Sequence, residues 1–168
     1  MKFFCLCAIF FFSSMLFLRS NAQPNAAKAY IKVSGEVTKP LTLSAADLVN
    51  MKHTTVSIRG RDGKDHSYTG VPLQIILELA GVTMGNKLRG ENLSKYLLVK
   101  CADGYEVVFS LAELDSSFTN RIIVLADTYD GKPIDAERGP FQLAVPGEKK
   151  PARSCFRVTE FIIKDARD

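Results

Sequence analysis

Residues 96–114 read YLLVKCADGYEVVFSLAEL and carry the clearest structural pattern in the chain. Residues 96–101 are mostly apolar, and residues 105–109 are rich in β-branched and aromatic side chains, which is typical of strands. Between them, Asp103 and Gly104 have the chemistry of a tight turn. Ser110 and Glu113 follow with the spacing of a capping box, which marks the start of a helix. The stretch predicts a β-hairpin in the centre of a sheet, followed directly by a short helix.

A second helix is predicted just upstream of this hairpin. Pro72 suits the first turn of a helix, and Gly81 suits its end. Apolar residues recur between them at positions i, i+3, i+4 and i+7, which predicts one buried stripe. The stripe consists of Leu73, Ile76, Leu77 and Ala80. The helix between Pro72 and Gly81 is expected to be the longest in the chain.

The remaining segments predict mostly strands. A short helix begins at Ser44, where a second capping pattern occurs. Alternating or continuous apolar segments predict strands over residues 30–37, 54–58, 65–69, 121–126, 141–145 and 157–164. The order of helices and strands is mixed and does not alternate regularly. The predicted fold class is therefore α+β, with mixed sheets and short helices.

The N-terminal residues have the pattern of a secretory signal. Lys2 precedes an apolar run over residues 3–18, which is shorter than the roughly 20 residues that a membrane span needs. Small residues then end at Ala22, where cleavage is expected. We therefore predict a signal peptide over residues 1–22, a loose lead-in over 23–29 and one domain over 30–168. A periplasmic or extracellular location, without stable membrane insertion after cleavage, is the expectation.

The charge of the chain argues against nucleic acid as a partner, and its cysteine content bears on the possibility of a disulfide. The whole chain has a net charge of +4, and loss of Lys2 and Arg19 with the signal leaves a nearly neutral domain. Such a domain has no broad positive field for nucleic acid. Cys101 and Cys155 remain after cleavage, and both are expected to be buried in strands and unpaired. A disulfide between them stays the alternative, because an exported protein meets oxidising conditions.

Several segments taken together resemble one known family. They are Gly35-Glu36-Val37 with Leu43-Ser44 and Asp47-Leu48, Tyr68 with Gly70-Val71-Pro72-Leu73, Asp103-Gly104-Tyr105 with Phe109-Ser110-Leu111, Gly139-Pro140, Val145-Pro146-Gly147 and Ala152-Arg153-Ser154. In this order and spacing they resemble the molybdopterin-binding domain of sulfite-oxidase-type enzymes, over nearly all of residues 23–168. The resemblance implies a mixed α+β domain that binds molybdenum through a pterin dithiolene and transfers oxygen atoms at it.

The chain departs from that family at the residues that hold the cofactor. The family's metal-ligating cysteine precedes the Gly-Val-Pro-Leu helix, and that segment contains no cysteine here; Ser57 is the residue closest to its place. A neutral hydroxyl replaces a thiolate poorly as a ligand of such a metal. Places that carry cations in the family hold Glu137, Gln142 and Phe156. These departures predict that the protein carries no cofactor, although the resemblance itself implies molybdopterin.

Basic residues remain in the two loops that flank the cofactor pocket of the family. Ser57, Arg59 and Arg61 lie in or next to the first loop, and Lys149 and Arg153 lie in the second. Solvated charged loops are the plainer interpretation, and a cleft that binds a small anion is the functional one. His53 and His66, the histidines of the chain, are expected to be surface residues, because no third ligand accompanies them at a metal-site spacing.

Three functions stay open at this point. The first is an exported, non-catalytic binding module whose partner is a small anionic ligand or another protein. The second is a working molybdopterin-dependent oxidoreductase. The third is a thiol-redox protein that uses Cys101 and Cys155. Metal and pterin content separates the first two, and a count of free thiols tests the third.

Overall fold

The chain is described by a computed structural model over residues 29–167. The predicted signal and nearly all of the predicted lead-in lie outside these residues. Within them, the strands are β1 (Tyr30–Gly35), β2 (Leu41–Ser44), β3 (Thr54–Arg59), β4 (Asp65–Pro72), β5 (Lys95–Cys101), β6 (Glu106–Ser110), β7 (Val124–Tyr129), β8 (Lys132–Pro133), β9 (Gln142–Ala144) and β10 (Val158–Asp165). The α-helices are α1 (Ala45–Val49) and α2 (Leu73–Leu79), and short 3-10 turns cover Gly85–Lys87, Gly90–Ser94, Leu111–Leu114 and Pro151–Arg153.

The strands form two sheets. The first has the order β2-β1-β10-β5-β6, with β1 and β10 parallel and the other pairs antiparallel. The second has the order β3-β4-β7-β8, and β9 pairs with residues 124–126 of β7 on the edge away from β4. The predicted α+β class with mixed sheets and short helices is confirmed. Within residues 29–167, none of the helices combines the length and the apolar character that crossing a bilayer requires.

The central hairpin forms as predicted, but it does not lie in the centre of its sheet. Residues of β5 pair with β6 in register from Tyr96–Ser110 to Lys100–Glu106. The strand β6 is an edge strand, and Val108 on it is 48% exposed. The prediction of a central position was wrong because residues of the hairpin are buried on one face of the sheet only. The middle position belongs to β10, which pairs with β1 on one side and β5 on the other.

Both predicted caps are present. The Ser44 side chain accepts a hydrogen bond from the Asp47 N–H at 3.3 Å, and the Asp47 carboxylate accepts one from the Ser44 N–H at 2.8 Å. At the end of the hairpin, the Ser110 N–H donates to Glu113 Oε2 at 3.0 Å. These side chains satisfy N–H groups that the first turn of a helix leaves without partners. The second cap starts a 3-10 turn, Leu111–Leu114, and fixes Glu113 at its surface.

The helix α2 packs into the main core as the apolar stripe predicts. Leu73, Ile76, Leu77 and Ala80 are all fully buried. They pack with side chains from both sheets, among them Val33, Leu97, Phe109, Leu125 and Phe161. Burial of Cys101 and Cys155 is also confirmed, and both are free thiols. Cys155 lies in a loop, so its predicted strand position was wrong.

Candidate functional site

A cleft of about 640 Å³ opens where the two sheets meet. Its walls come from the β3–β4 hairpin, from β7, from the β5–β6 turn at Asp103 and Tyr105, and from residues 151–156. The two loops that the sequence marked as basic therefore do flank one cavity. A second cavity of about 390 Å³ lies beside α2 and contains none of the predicted site residues.

The alternation of side chains along β3 decides which residue faces the cleft. Ile58 is half-buried and lines the cleft, whereas Ser57 is exposed and lies outside the lining. Neighbouring residues of a strand point to opposite faces of the sheet, so both side chains cannot point into the cavity. The predicted placement of Ser57 at the site was wrong, and an aliphatic side chain occupies that position.

Two of the predicted cations lie at the cleft. Arg59, the last residue of β3, and Arg61, in the hairpin turn, both line it and are exposed. The Arg59 guanidinium lies 3.4 Å from Asp65 Oδ1, in an exposed ion pair that offsets part of its charge. Arg61 has no ion-pair partner among the described residues. Arg61 can therefore interact with an anion in the mouth of the cleft, and Arg59, which shares the Ser57 face of β3, borders the cleft at its rim.

Lys149 and Arg153 do not line the cleft. Lys149 is exposed to solvent outside it. Arg153 points away and donates to Glu148 Oε1 at 2.8 Å through Nε and to Glu113 Oε1 at 3.0 Å through Nη2. Although burial alone would lower it, these carboxylates raise the pKa of Arg153. The anion-binding role predicted for both residues is therefore not supported by their placement.

The contacts of Arg153 hold the loop of residues 148–153 against the central hairpin. Its guanidinium packs over the Phe109 ring at 4.3 Å and donates to the Val108 carbonyl on the edge strand β6. Arg121 adds a second guanidinium, 3.0 Å from Glu113 Oε1. Glu113 thus joins the cap, the edge strand and the loop that forms one wall of the cleft.

Glu113→Gln should lower the free energy of unfolding by about 1–2 kcal/mol at neutral pH, because it weakens the cap and both ion pairs. Against the effect of burial, Arg153 and the Ser110 N–H lower the pKa of Glu113. The contribution of its charge is therefore complete above the unfolded-state pKa of about 4.3 and is lost as the pH falls through the folded-state value. Urea unfolding at neutral pH and near pH 3 should show the difference between wild type and variant shrinking on acidification.

The matched control for this prediction is Glu106→Gln on β6. Glu106 forms an exposed ion pair with Lys100 and takes no part in a cap. We expect its effect to stay within about 0.5 kcal/mol at either pH. An equal loss of stability in both variants would contradict the role given to Glu113.

His66 lies in the wall of the cleft, near the surface of the protein, and its side chain is 19% exposed. Its Nδ1 is 2.7 Å from Asp130 Oδ2 and 2.7 Å from the Tyr129 hydroxyl, and its Nε2 is 3.2 Å from both oxygens of Asp62. Its ring stacks on Tyr129, with 5.1 Å between centroids. First Asp130 and then Asp62 raise the pKa of His66 by accepting its hydrogen bonds. Carboxylates on both sides of the ring favour the imidazolium form.

The cleft is also lined by Cys155, which was predicted to lie in a strand. Cys155 has Cys101 as its neighbour. Burial, and next the neighbouring Cys101, raise the pKa of the Cys155 thiol well above its ordinary value. Both groups are therefore protonated thiols at neutral pH, which makes them poor nucleophiles. The alternation of side chains along a strand could not predict that Cys155 lines the cleft, because Cys155 lies in a loop that joins the two sheets.

At three positions where the family has a cation, this chain has an uncharged or acidic residue, and two of these positions lie at the cleft. Gln142 and Phe156 line it, and Glu137 is exposed outside it. Gln142 is 2% exposed, and its Oε1 accepts no hydrogen bond within residues 29–167. A buried acceptor without a partner is costly unless something else supplies a donor. Among the same residues, no group of three or more His, Cys, Asp or Glu side chains is arranged to hold a metal ion.

Comparison with known proteins identifies the fold and the family. The family model described as "Oxidoreductase molybdopterin binding domain" matches residues 20–149. Among solved structures, the sulfane dehydrogenase SoxCD from Paracoccus pantotrophus is similar with a TM-score of 0.65 and 22% sequence identity. The match covers 83% of this chain and 39% of that one, so the present chain spans well under half of its neighbour's length.

These comparisons confirm the resemblance that the sequence segments carry. At 22% identity the structural neighbour supports the fold, and the family model supports the membership. No curated protein matches the chain. The family match ends at residue 149, just before the cleft wall formed by residues 151–156. The chain belongs to the oxidoreductase molybdopterin-binding domain family.

Proposed function

We propose that this chain is an exported, non-catalytic binding module that uses the cleft of the family for a small anionic ligand and carries no molybdenum. The observation that carries the proposal is the chemistry of the side chains at the cleft. Ile58 takes the cleft-facing position on β3, and the nearby Cys155 is a buried thiol. A molybdenum centre of this family requires a thiolate from the protein, as the resemblance implies.

The residues at the cleft do not fit the cofactor of the family. Soft metals bind a thiolate, and the cleft-facing residue of β3 is Ile58, whose side chain has no ligand atom. At places where the family has cations for the cofactor's anionic groups, the cleft offers Gln142 and Phe156. Each lost charge-assisted hydrogen bond costs about 1.5–3 kcal/mol. Two such losses would weaken cofactor binding by several powers of ten.

The cleft keeps features that suit a smaller anion. Arg59 and Arg61 supply the positive charge at its mouth. Tyr68, Tyr105 and Phe156 supply apolar and aromatic surface inside it. Pockets for small molecules commonly combine an apolar lining with a few polar groups that fix orientation. Protein partners remain an alternative for the same exposed loops.

The decisive experiment uses protein purified from its native host. We expect elemental analysis to find no stoichiometric molybdenum and the released, oxidised material to show no pterin fluorescence. The protein should be recovered from the periplasmic or secreted fraction with Gln23 as its first residue, as expected for an ordinary secretory signal. Stoichiometric molybdenum together with pterin would overturn the proposal.

The alternative function is a molybdopterin-dependent oxidoreductase. Family membership favours it, and so does the presence of one sulfur atom, that of Cys155, in the wall of the cleft. If molybdenum is found, metal content should fall in Cys155→Ser and remain in Ser57→Ala, because Ser57 faces away from the cleft. If both variants keep the metal, a residue other than Cys155 and Ser57 must be its ligand.

A further inference from the structure

The tip of the β3–β4 hairpin is tied to the rest of the cleft through one side chain, His66. Asp62 in the hairpin turn faces Nε2 of the ring, and Asp130 in the β7–β8 turn faces Nδ1. Gly60 leaves room for the contact to Asp62. A Cβ at that position would lie 2.6 Å from Asp62 Oδ1 and 2.9 Å from His66 Nε2. The hairpin is thus shaped to let His66 approach its turn closely.

The protonation state of His66 determines how many of these contacts can exist. The imidazolium donates from both nitrogens and can satisfy both carboxylates at once. The neutral ring has one N–H, so its other nitrogen presents a lone pair to a carboxylate. The Tyr129 hydroxyl also lies 2.7 Å from Nδ1 and can donate to it, so either ring nitrogen can keep the proton. Deprotonation therefore breaks one of the two carboxylate contacts, and with it the link between the two turns.

The groups around the ring reinforce this dependence on pH. The Tyr129 hydroxyl is the third polar group at the ring, and the Arg138 guanidinium packs over Tyr129 while paired with Asp135. Asp130 is held independently of His66, because the Ser67 N–H donates to its Oδ1 at 2.8 Å. Asp62 is also held within its own turn, because the Lys64 N–H donates to its Oδ1 at 3.1 Å, so His66 is the link between the two turns.

The same hairpin carries both cations and carboxylates. Arg61 is bonded directly to Asp62 in the chain, and Arg59 precedes Gly60. Asp65, next to His66, pairs with Arg59 and does not contact the His66 ring. Fixing Asp62 therefore fixes the backbone that carries Arg61, close to the position of Arg59.

We propose that His66 in its imidazolium form is a positioning residue, which holds the hairpin tip so that Arg59 and Arg61 bind one anion together in the cleft. The inference rests on the proposed function, since it specifies how the same cleft is regulated. Because the folded-state pKa of His66 is raised, the tether is complete below about pH 6.5 and is lost as the pH rises through the raised value. Anion binding should therefore be stronger in acid.

The test uses inorganic sulfate, whose charge is constant between about pH 5 and pH 8. Sulfate affinity is measured by NMR titration of wild type, His66→Gln, Asp62→Asn and the control His53→Gln. His53 contacts Asp127 and lies outside the cleft. We expect wild type and His53→Gln to bind sulfate about two- to fivefold more tightly at pH 5 than at pH 8, the range for an exposed ion pair. His66→Gln should bind it equally at both.

Asp62→Asn separates positioning from simple charge. Removing a carboxylate beside Arg61 would strengthen anion binding if long-range electrostatics alone governed it. If Asp62 instead anchors the hairpin through His66, the variant binds sulfate more weakly than wild type at pH 5. Hydrogen exchange gives a readout without any anion. After correction for intrinsic rates, the Lys64 amide, which donates to Asp62 Oδ1, should exchange faster at pH 8 in wild type and alike at both pH values in His66→Gln.

The outcomes are distinct. An unchanged pH dependence in His66→Gln, or tighter sulfate binding in Asp62→Asn, would overturn the positioning role and leave the proposed anion cleft intact. Absence of sulfate binding at every pH would overturn the anion cleft and the role of His66 with it. The expected pattern in all four proteins supports both.

Discussion

Leu77→Ala should lower the free energy of unfolding by about 2–5 kcal/mol. Leu77 is fully buried in the middle of α2 and packs in the main core between the two sheets. Truncation removes buried methyl groups and leaves a cavity that close-packed neighbours fill incompletely. Urea unfolding followed by circular dichroism gives the difference directly, and a neutral result would contradict the placement of the helix.

Leu79→Ala is the matched control for this prediction. Leu79 ends the same helix, carries the same side chain and is 45% exposed. Alanine also favours helix slightly, so the change should stay within about 0.5 kcal/mol. A loss in Leu79→Ala as large as in Leu77→Ala would mean that helix formation, and not packing, determines the effect.

Gly35→Ala should destabilise the domain by about 3 kcal/mol or more, enough to reduce the yield of folded protein. Gly35 ends β1 with a φ of +88°, and a Cβ there would lie 2.0 Å from the carbonyl oxygen of Ile163 on β10. That oxygen accepts the Glu36 N–H at 2.9 Å, so it cannot rotate away without losing a hydrogen bond. The methyl group would therefore force β1 and β10 apart.

Gly104→Ala separates this clash from the cost of the backbone conformation. Gly104 has a φ of +84° in the β5–β6 turn, and a Cβ there would meet no atom within 4 Å. Its substitution should cost only the conformational term of about 1–2 kcal/mol. Equal unfolding free energies for the two variants would show that the approach of β1 to β10 carries no steric constraint.

Local signals in the sequence predicted local structure well. The cap at Ser110 and Glu113, the hairpin turn at Gly104 and the buried face of α2 each depend on residues a few positions apart. Turn chemistry and apolar periodicity report such short-range preferences directly. They are the parts of the fold that the structure confirms in detail.

The arrangement of strands could not be read in the same way. An apolar strand such as β10 looks alike at the edge and in the middle of a sheet, because its burial depends on partners far away in the chain. The pairing of Lys32 with Glu160 illustrates the separation involved. Side-chain alternation on β3 did carry a usable signal, since it places Ile58, and not Ser57, on the same face as Val56.

The same distinction between contacts that are close in the sequence and contacts that are far apart applies to the site. Arg59 and Arg61 border the cleft, and they belong to a hairpin that the turn residues Asp62 and Gly63 predict. The position of Arg153 was not predicted, because its two carboxylate partners include Glu113 from another part of the chain. His66 acquires its role only when the β7–β8 turn brings Asp130 to its ring.

The central position of β10 has a consequence for the order in which the protein can be built. Residues of β1 emerge early in synthesis, but their parallel partner is the final strand of the described chain, and parallel pairing over such a separation is slow. Until residues 158–165 are made, β1 and β5 each present an unpaired edge and an incomplete apolar face. The first sheet can therefore be completed only after nearly the whole domain is translated, and until then the nascent chain exposes strand edges that favour aggregation.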